Sequence, residues 1–173
     1  MIKINKEIHS KIYQDYIFIV GSLKFNYKYF ISKIEEGIKE NSSLNFRTNV
    51  EGYMTSWNYF NEDFQFRIIL CEIFDKLDSI KFIKSYNFCE CWGLKEGIGN
   101  RTKLHAHLPN YISGVIYLND HSQKLYFPEI NEEITPEEGK IVIFSSFLNH
   151  KTDRNIFNKP KYALSFNLNH TLV

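Results

Sequence analysis

The sequence predicts a mainly β fold with flanking α-helices, arranged as a two-sheet jelly roll. Three observations carry this. From Tyr86 onward, short apolar runs alternate with turn residues. Helical patterning is confined to the first half. Aromatic residues, mostly Phe and Tyr, make up 16% of the chain, which suits strands and a packed core. A length of 173 residues fits one domain, with residues 1–85 as a helical support and 86–173 as the β core.

In Asn26 to Asn41, the residues Tyr27, Phe30, Ile31, Ile34 and Ile38 recur at helical spacing, and Asn41-Ser42-Ser43 supplies a stop. Asn61 reads as the cap of a second helix. Glu62 and Asp63 then fall in its first turn, where the helix dipole favours acids. Phe64, Ile68, Cys71, Ile73, Phe74 and Leu77 form its apolar face. The polar stretch between the helices, RTNVEGYMTSWNYF, reads as irregular or extended. The strand-like runs are Tyr16 to Leu23, Phe88 to Leu94, Ser113 to Leu118, Leu125 to Phe127, Lys140 to Phe144 and Tyr162 to Leu168. Gly97, Gly99, Asn110, Asn119-Asp120 and Glu138-Gly139 punctuate them. Two helices packed on one side of a mostly antiparallel sheet system follow, and a jelly roll limits the exposed edges of such short strands.

Composition excludes several classes. A net charge of +1 with no like-charge block is not the basic footprint of a nucleic-acid partner. No stretch approaches the ~18 apolar residues that span a bilayer, and MIKINKEIHSKIY lacks the apolar run of a secretory leader. The cysteines number three, an odd count that points to a reducing, cytoplasmic setting. Cys89 and Cys91 are spaced to share one face of a strand, where two small buried side chains are the expected outcome.

The chemistry-bearing residues are histidines. His105 and His107, two apart, point to the same side of an extended segment, and His150 follows the run IVIFSSFLN. Two close ligands and a distant one can build a metal site whose remaining positions stay open for substrate and oxygen. Spacing alone leaves the ordinary alternative open, a pair of exposed or hydrogen-bonded imidazoles. His9 and His170 lie near the termini and His121 falls in a turn, which makes them less telling.

The order of motifs adds to this. The chain reads Trp92-Gly93, Gly97-Ile98-Gly99-Asn100, then His105-Ala106-His107-Leu108-Pro109-Asn110, then Ser113-Gly114-Val115-Ile116-Tyr117-Leu118-Asn119. It continues with Pro136-Glu137-Glu138-Gly139-Lys140-Ile141-Val142-Ile143-Phe144, His150 and Ser165-Phe166-Asn167. Over roughly residues 86–169 this order resembles the 2-oxoglutarate- and Fe(II)-dependent oxygenases, above all the small prolyl-hydroxylase-like oxygenases of bacteria and phages. The resemblance implies a double-stranded β-helix, the cupin-like form of the jelly roll, with Fe(II) and 2-oxoglutarate as cofactors. It implies His105 and His150 as iron ligands, with His107 at the position that is usually a carboxylate. Asp153 offers a carboxylate at a position that matches nothing in the family.

The family's arginine for the far carboxylate of 2-oxoglutarate falls on Lys161, which keeps the charge and loses the bidentate fork. Tyr117 matches a strand tyrosine that assists it, and Arg154 is a substitute cation. Pro109 and Asn110 shape the loop after the ligand pair, Gly139 makes the turn before a strand, and Trp57 is either a substrate-side aromatic or a packed loop residue. Ile116, Phe127, Phe144 and Phe166 would keep water from the site. The implied activity couples decarboxylation of 2-oxoglutarate to succinate with hydroxylation of a C–H bond, using molecular oxygen and a small-molecule or peptidyl substrate. Residues 47–59 and the loop after Asp120 would shape substrate access. Two other readings fit the same residues: a three-histidine cupin-type dioxygenase that does not use 2-oxoglutarate, and a non-catalytic jelly-roll binding or structural module.

Overall fold

A computed structural model of the chain describes residues 3–4, 12–13, 15–40, 49–80 and 86–171. The expected helix stop at Asn41-Ser42-Ser43, and His9, lie outside them. The elements run β1 (Lys3–Ile4), β2 (Ile12–Tyr13), β3 (Phe18–Ser22), α1 (Tyr27–Glu40), β4 (Val50–Glu51), β5 (Tyr53–Met54) and α2 (Phe64–Asp78). They continue as β6 (Tyr86–Glu96), β7 (Arg101–Thr102), β8 (Ile112–Tyr117), β9 (Leu125–Phe127), β10 (Glu132–Ile134), β11 (Lys140–Ser145), β12 (Lys151–Thr152) and β13 (Lys161–His170).

A six-stranded sheet of order β3-β11-β8-β13-β6-β5 faces two small sheets, β10-β9-β12 and β4-β7. Every strand pair is antiparallel. From β6 onward the chain alternates between the large sheet and the small ones: β6 large, β7 small, β8 large, β9 and β10 small, β11 large, β12 small, β13 large. That alternation is the winding of a double-stranded β-helix, as expected. The first half gives more than helices. It supplies both edges of the large sheet, β3 and β5, and β4 and β5 come from the stretch expected to be irregular or extended.

Both faces of the large sheet are covered, so its strands read as continuous apolar runs. Period-two alternation sorts their side chains. Ile112, Ile116, Ile141, Ile143, Leu164, Phe166 and Leu168 pack against Phe30 and Ile34 of α1 and Phe66, Ile69, Ile73 and Leu77 of α2. Val115, Tyr117, Val142, Phe144 and Ala163 face inward with Leu125, Phe127 and Ile134 of the small sheet. Each large apolar side chain so buried is worth roughly 1.5–3 kcal/mol. Gly93 lets α1 sit close, because a Cβ there would lie 2.3 Å from Cγ1 of Ile34.

The second helix corrects two expectations. Its cap is Asp63, whose side chain accepts from the Phe66 amide at 2.9 Å. Asn61 instead binds β6, donating to the Cys89 carbonyl and accepting from the Cys91 amide, both at 3.0 Å. The buried stripe is Phe66, Ile69, Leu70, Ile73 and Leu77, while Phe64, Ile68 and Cys71 are exposed. The sequence holds two overlapping apolar stripes, and the tie from Asn61 to β6 sets which one meets the sheet. The cysteine pair is also divided. The β6–β13 register shifts between Asn167 and Leu168, passing over Cys89, so Cys91 is fully buried and Cys89 only half-buried. A bulge of this kind breaks the alternation on which the expectation rested.

Gly139 makes the expected turn into β11. Its φ is +81°, and an added Cβ would lie 2.4 Å from the Leu23 carbonyl and 2.5 Å from the Tyr27 hydroxyl. Gly139→Ala therefore carries both backbone strain and a clash. We expect a loss of about 1–3 kcal/mol in urea denaturation; an unchanged midpoint would contradict the packing described.

Candidate metal centre

His105 and His150, far apart in sequence, are joined by an isolated antiparallel bridge. The His105 amide donates to the His150 carbonyl at 3.1 Å, and the His150 amide returns a bond to the His105 carbonyl at 2.9 Å. Residues directly opposite across such a bridge project to the same face. His107, one pleat on, is pinned by its amide to the Ser146 carbonyl at 2.8 Å. Asn110 closes the loop after the pair, its amide donating to the His107 carbonyl at 3.0 Å, and the Leu108–Pro109 peptide is cis.

The outcome is convergence. One ligand atom from each of His105, His107 and His150 lies within 4.8 Å of the other two. Nε2 of His107 and Nε2 of His150 are 3.3 Å apart, and their rings are parallel within 3°. The other ring nitrogens set the tautomers. Nδ1 of His105 lies 2.8 Å from the Lys103 carbonyl, and Nδ1 of His150 lies 3.1 Å from the Leu148 carbonyl. A carbonyl only accepts, so each Nδ1 carries the proton and each Nε2 presents a lone pair, the usual outer support of a metal-binding imidazole.

Aromatic rings enclose this cluster. Phe144 and Phe127 sit against His150 with ring centroids at 4.8 and 5.5 Å. Trp92 lies 6.0 Å from the His107 ring, and Trp57 packs edge-on against Trp92 at 4.7 Å. Trp57 is thus one ring removed from the cluster. The four residues expected to exclude water divide by face. Phe127 and Phe144 do line the interior, whereas Ile116 and Phe166 point at the helices.

The three histidines line a recess, partly open to solvent, whose walls also include Trp92, Tyr117, Lys161 and Glu96. Sequence reasoning found all of these but Glu96. Glu96 stands directly opposite Lys161 in the β6–β13 register and forms an ion pair with it, their side chains 1% and 5% exposed. Thr102 donates to the same carboxylate at 3.0 Å. The signal available in the sequence was the cross-strand pairing of two strand ends, which needs the register to be known. Tyr117 is buried, and burial followed by the Glu96 charge pushes its phenol upward. Arg154 is exposed and committed elsewhere, to Glu51 at 3.2 Å and the Gly99 carbonyl at 2.7 Å, so it does not line the recess. Asp153 lies outside the histidine cluster, among the residues of a separate surface cleft.

The donor set fits a divalent transition metal. It is three neutral imidazoles with no carboxylate among them, and imidazole suits Fe and its neighbours. Burial keeps the rings neutral. It lowers His105; it takes His107 down to about 3, with His105 adding to the effect; and it holds His150 well below its ordinary value, with both neighbours adding. Trp92 supplies a further sign of a missing partner. Its Nε1 is buried without an acceptor among the described residues, and such donors usually have one. An oxygen of a molecule held at the three histidines would satisfy it.

No protein-family model and no curated protein matches the sequence. Solved structures do match. The viral collagen prolyl hydroxylase of Paramecium bursaria Chlorella virus-1, solved as its 2-oxoglutarate complex, is 17% identical with a TM-score of 0.70, covering 90% of this chain and 96% of its own. A Pseudomonas putida prolyl-4-hydroxylase is 13% identical with a TM-score of 0.68, covering 89% and 92%. HygX from Streptomyces hygroscopicus, with nickel and 2-oxoglutarate bound, is 12% identical with a TM-score of 0.58, covering 89% and 83%. The chain therefore shares the double-stranded β-helix fold of these oxygenases across nearly its whole length. No helix among the described residues is long and apolar enough to cross a membrane.

Two outcomes follow. In the unfolded chain a histidine titrates near 6.5. As pH falls below that value the unfolded state takes up protons that the three buried rings refuse. Stability of the metal-free protein is thus complete above about pH 6.5 and declines below it, by up to about 1.4 kcal/mol per pH unit for each ring. Melting curves of metal-free protein at about pH 7.5 and pH 5.5 check this, and equal midpoints would contradict it. For the ion pair, Lys161→Met leaves Glu96 buried and alone, at a cost of about 3–5 kcal/mol. Adding Glu96→Leu should recover most of that loss in denaturant titrations.

Proposed function

We propose that the protein is an Fe(II)- and 2-oxoglutarate-dependent oxygenase, a hydroxylase acting with molecular oxygen on a small-molecule or peptidyl substrate. One observation carries the reading: three imidazoles, each with one ring nitrogen within 4.8 Å of the others, converge in a recess that Lys161 and Tyr117 also line. The fold shared with two prolyl hydroxylases and with HygX supports it. His105, His107 and His150 would hold the iron, which when bound supplies oxygen activation driven by decarboxylation of 2-oxoglutarate to succinate.

The chain's own residues do the rest. Lys103 and Leu148 carbonyls hold the rings of His105 and His150, which orients these two ligand atoms before binding. Phe127 and Phe144 keep bulk water from the ligand atoms, which protects a reactive centre from side reactions. The Lys161 ammonium and the Tyr117 phenol offer donors for the tail of the co-substrate, and the Trp92 indole N–H offers one near the histidines. The reading takes the chain as one domain in a cytoplasmic setting, with Cys71, Cys89 and Cys91 as free thiols. A peptidyl residue, a free amino acid and another small metabolite are all within the substrate class.

The absence, among the described residues, of a carboxylate from the histidine cluster and the pairing of Lys161 with Glu96 favour one second reading, a three-histidine dioxygenase that does not use 2-oxoglutarate. Anaerobic addition of Fe(II) and then 2-oxoglutarate to metal-free protein separates the two. The first reading expects a visible charge-transfer band, and succinate once oxygen and substrate are present. Its loss in His107→Ala would identify the third ligand. Iron binding with no band would favour the second reading, and undiminished 2-oxoglutarate turnover in His150→Ala would overturn the first.

A further inference from the structure

The part of the recess around Lys161 carries a charge balance that its lysine alone would not suggest. Of the described residues lining it, Lys161 is the one cation, the three histidines being neutral, and Glu96 the one carboxylate. They face each other across adjacent strands, both almost fully buried. Glu96 is also held by the Thr102 hydroxyl at 3.0 Å, so its carboxylate is anchored from two sides. The lining also includes the apolar Val50, Leu94, Leu125 and Ala163, together with Thr102 and Thr152, and adds no other formal charge.

A tail carboxylate entering here meets a positive and a negative charge at similar range, and the two nearly cancel. It would add a third buried charge with no counter-ion of its own, which a low-dielectric site penalises. An uncharged acceptor escapes that penalty. It can still take hydrogen bonds from the ammonium of Lys161, which has three N–H donors, and from the Tyr117 phenol, which has no hydrogen-bond partner among the described residues.

We propose that Glu96 sets the charge of the tail this recess accepts, and that the recess binds a 2-oxo acid with an uncharged hydrogen-bond-accepting tail to within about threefold as tightly as 2-oxoglutarate, or more tightly. The inference rests on the function proposed above, in which the head of a 2-oxo acid binds at a metal held by the three histidines. Glu96 is in this account the specificity-determining residue of the co-substrate end.

The test is calorimetry on the full chain loaded anaerobically with Fe(II), with metal uptake measured first. Two titrants are compared: 2-oxoglutarate, and 2,5-dioxohexanoate, in which a methyl group replaces one oxygen of the tail carboxylate. The wild type should favour 2-oxoglutarate by less than about threefold, or prefer the dioxo acid. Glu96→Gln should shift the ratio toward 2-oxoglutarate by about tenfold or more, a conservative size for one charge removed a few ångströms away at an effective dielectric of about 20. A wild-type preference for 2-oxoglutarate above about threefold overturns the proposal even if the variant does not fold. An unchanged ratio in a folded Glu96→Gln protein overturns it as well. Failure of both acids to bind iron-loaded protein removes this proposal together with the use of 2-oxoglutarate, whereas failure to take up iron removes the metal site itself.

Discussion

The two backbone hydrogen bonds between His105 and His150 are the constraint on which the site depends. Each residue belongs to a connection between the large sheet and a small one, His105 on the way from β7 to β8 and His150 on the way from β11 to β12, and neither connection has much regular structure of its own. Pairing them satisfies backbone groups that would otherwise be buried without partners. The same pairing sets the two side chains on one face, so the convergence of the imidazoles is a by-product of closing the barrel. His107 follows because its amide is bound to the Ser146 carbonyl in the neighbouring connection. Three imidazoles from two segments are thereby held by main-chain bonds, with side-chain packing as support.

Around this frame the interior of the sandwich is graded. At the histidine end, Phe127, Phe144 and Trp92 supply aromatic walls. At the other end, polar side chains cross-link strands of different sheets. The Thr102 amide donates to the Thr152 hydroxyl at 2.8 Å, and Gln123 reaches the same hydroxyl at 3.1 Å. A second buried network links Ser113 with Ser146 and Asn167, and Asn167 with Glu90. Such networks specify an arrangement more than they stabilise it, because each member is costly only when unpaired.

Much of this was legible in the sequence. The strand runs from Phe88 to Leu168 lie where β6, β8, β9, β11 and β13 form, because buried strands between turn residues leave a clear pattern. The histidines were legible as types at a spacing, and the order of motifs gave the winding. What depended on three-dimensional register was not. Glu96 became part of the site only through its place opposite Lys161. Ile116 and Phe166 were expected beside the metal, and a single step of alternation sends them to the helices instead. The apolar face of α2 was misassigned because Phe64, Ile68 and Cys71 form a stripe as regular as the one that is buried. The short strands β7 and β12, of two residues each, leave no periodicity to read.

The position of β13 in the large sheet has a further consequence. Of the described strands it comes last in the chain, yet it lies third from one edge, between β8 and β6. Without it the sheet falls into two unconnected halves, β3-β11-β8 and β6-β5. A nascent chain therefore exposes two unpaired interior edges until the residues of β13 have left the ribosome. Pairings this distant in sequence form slowly, and open edges recruit other chains meanwhile. Synthesis of this protein thus passes through a vulnerable interval that lasts until β13 is available, during which chaperone protection would matter most.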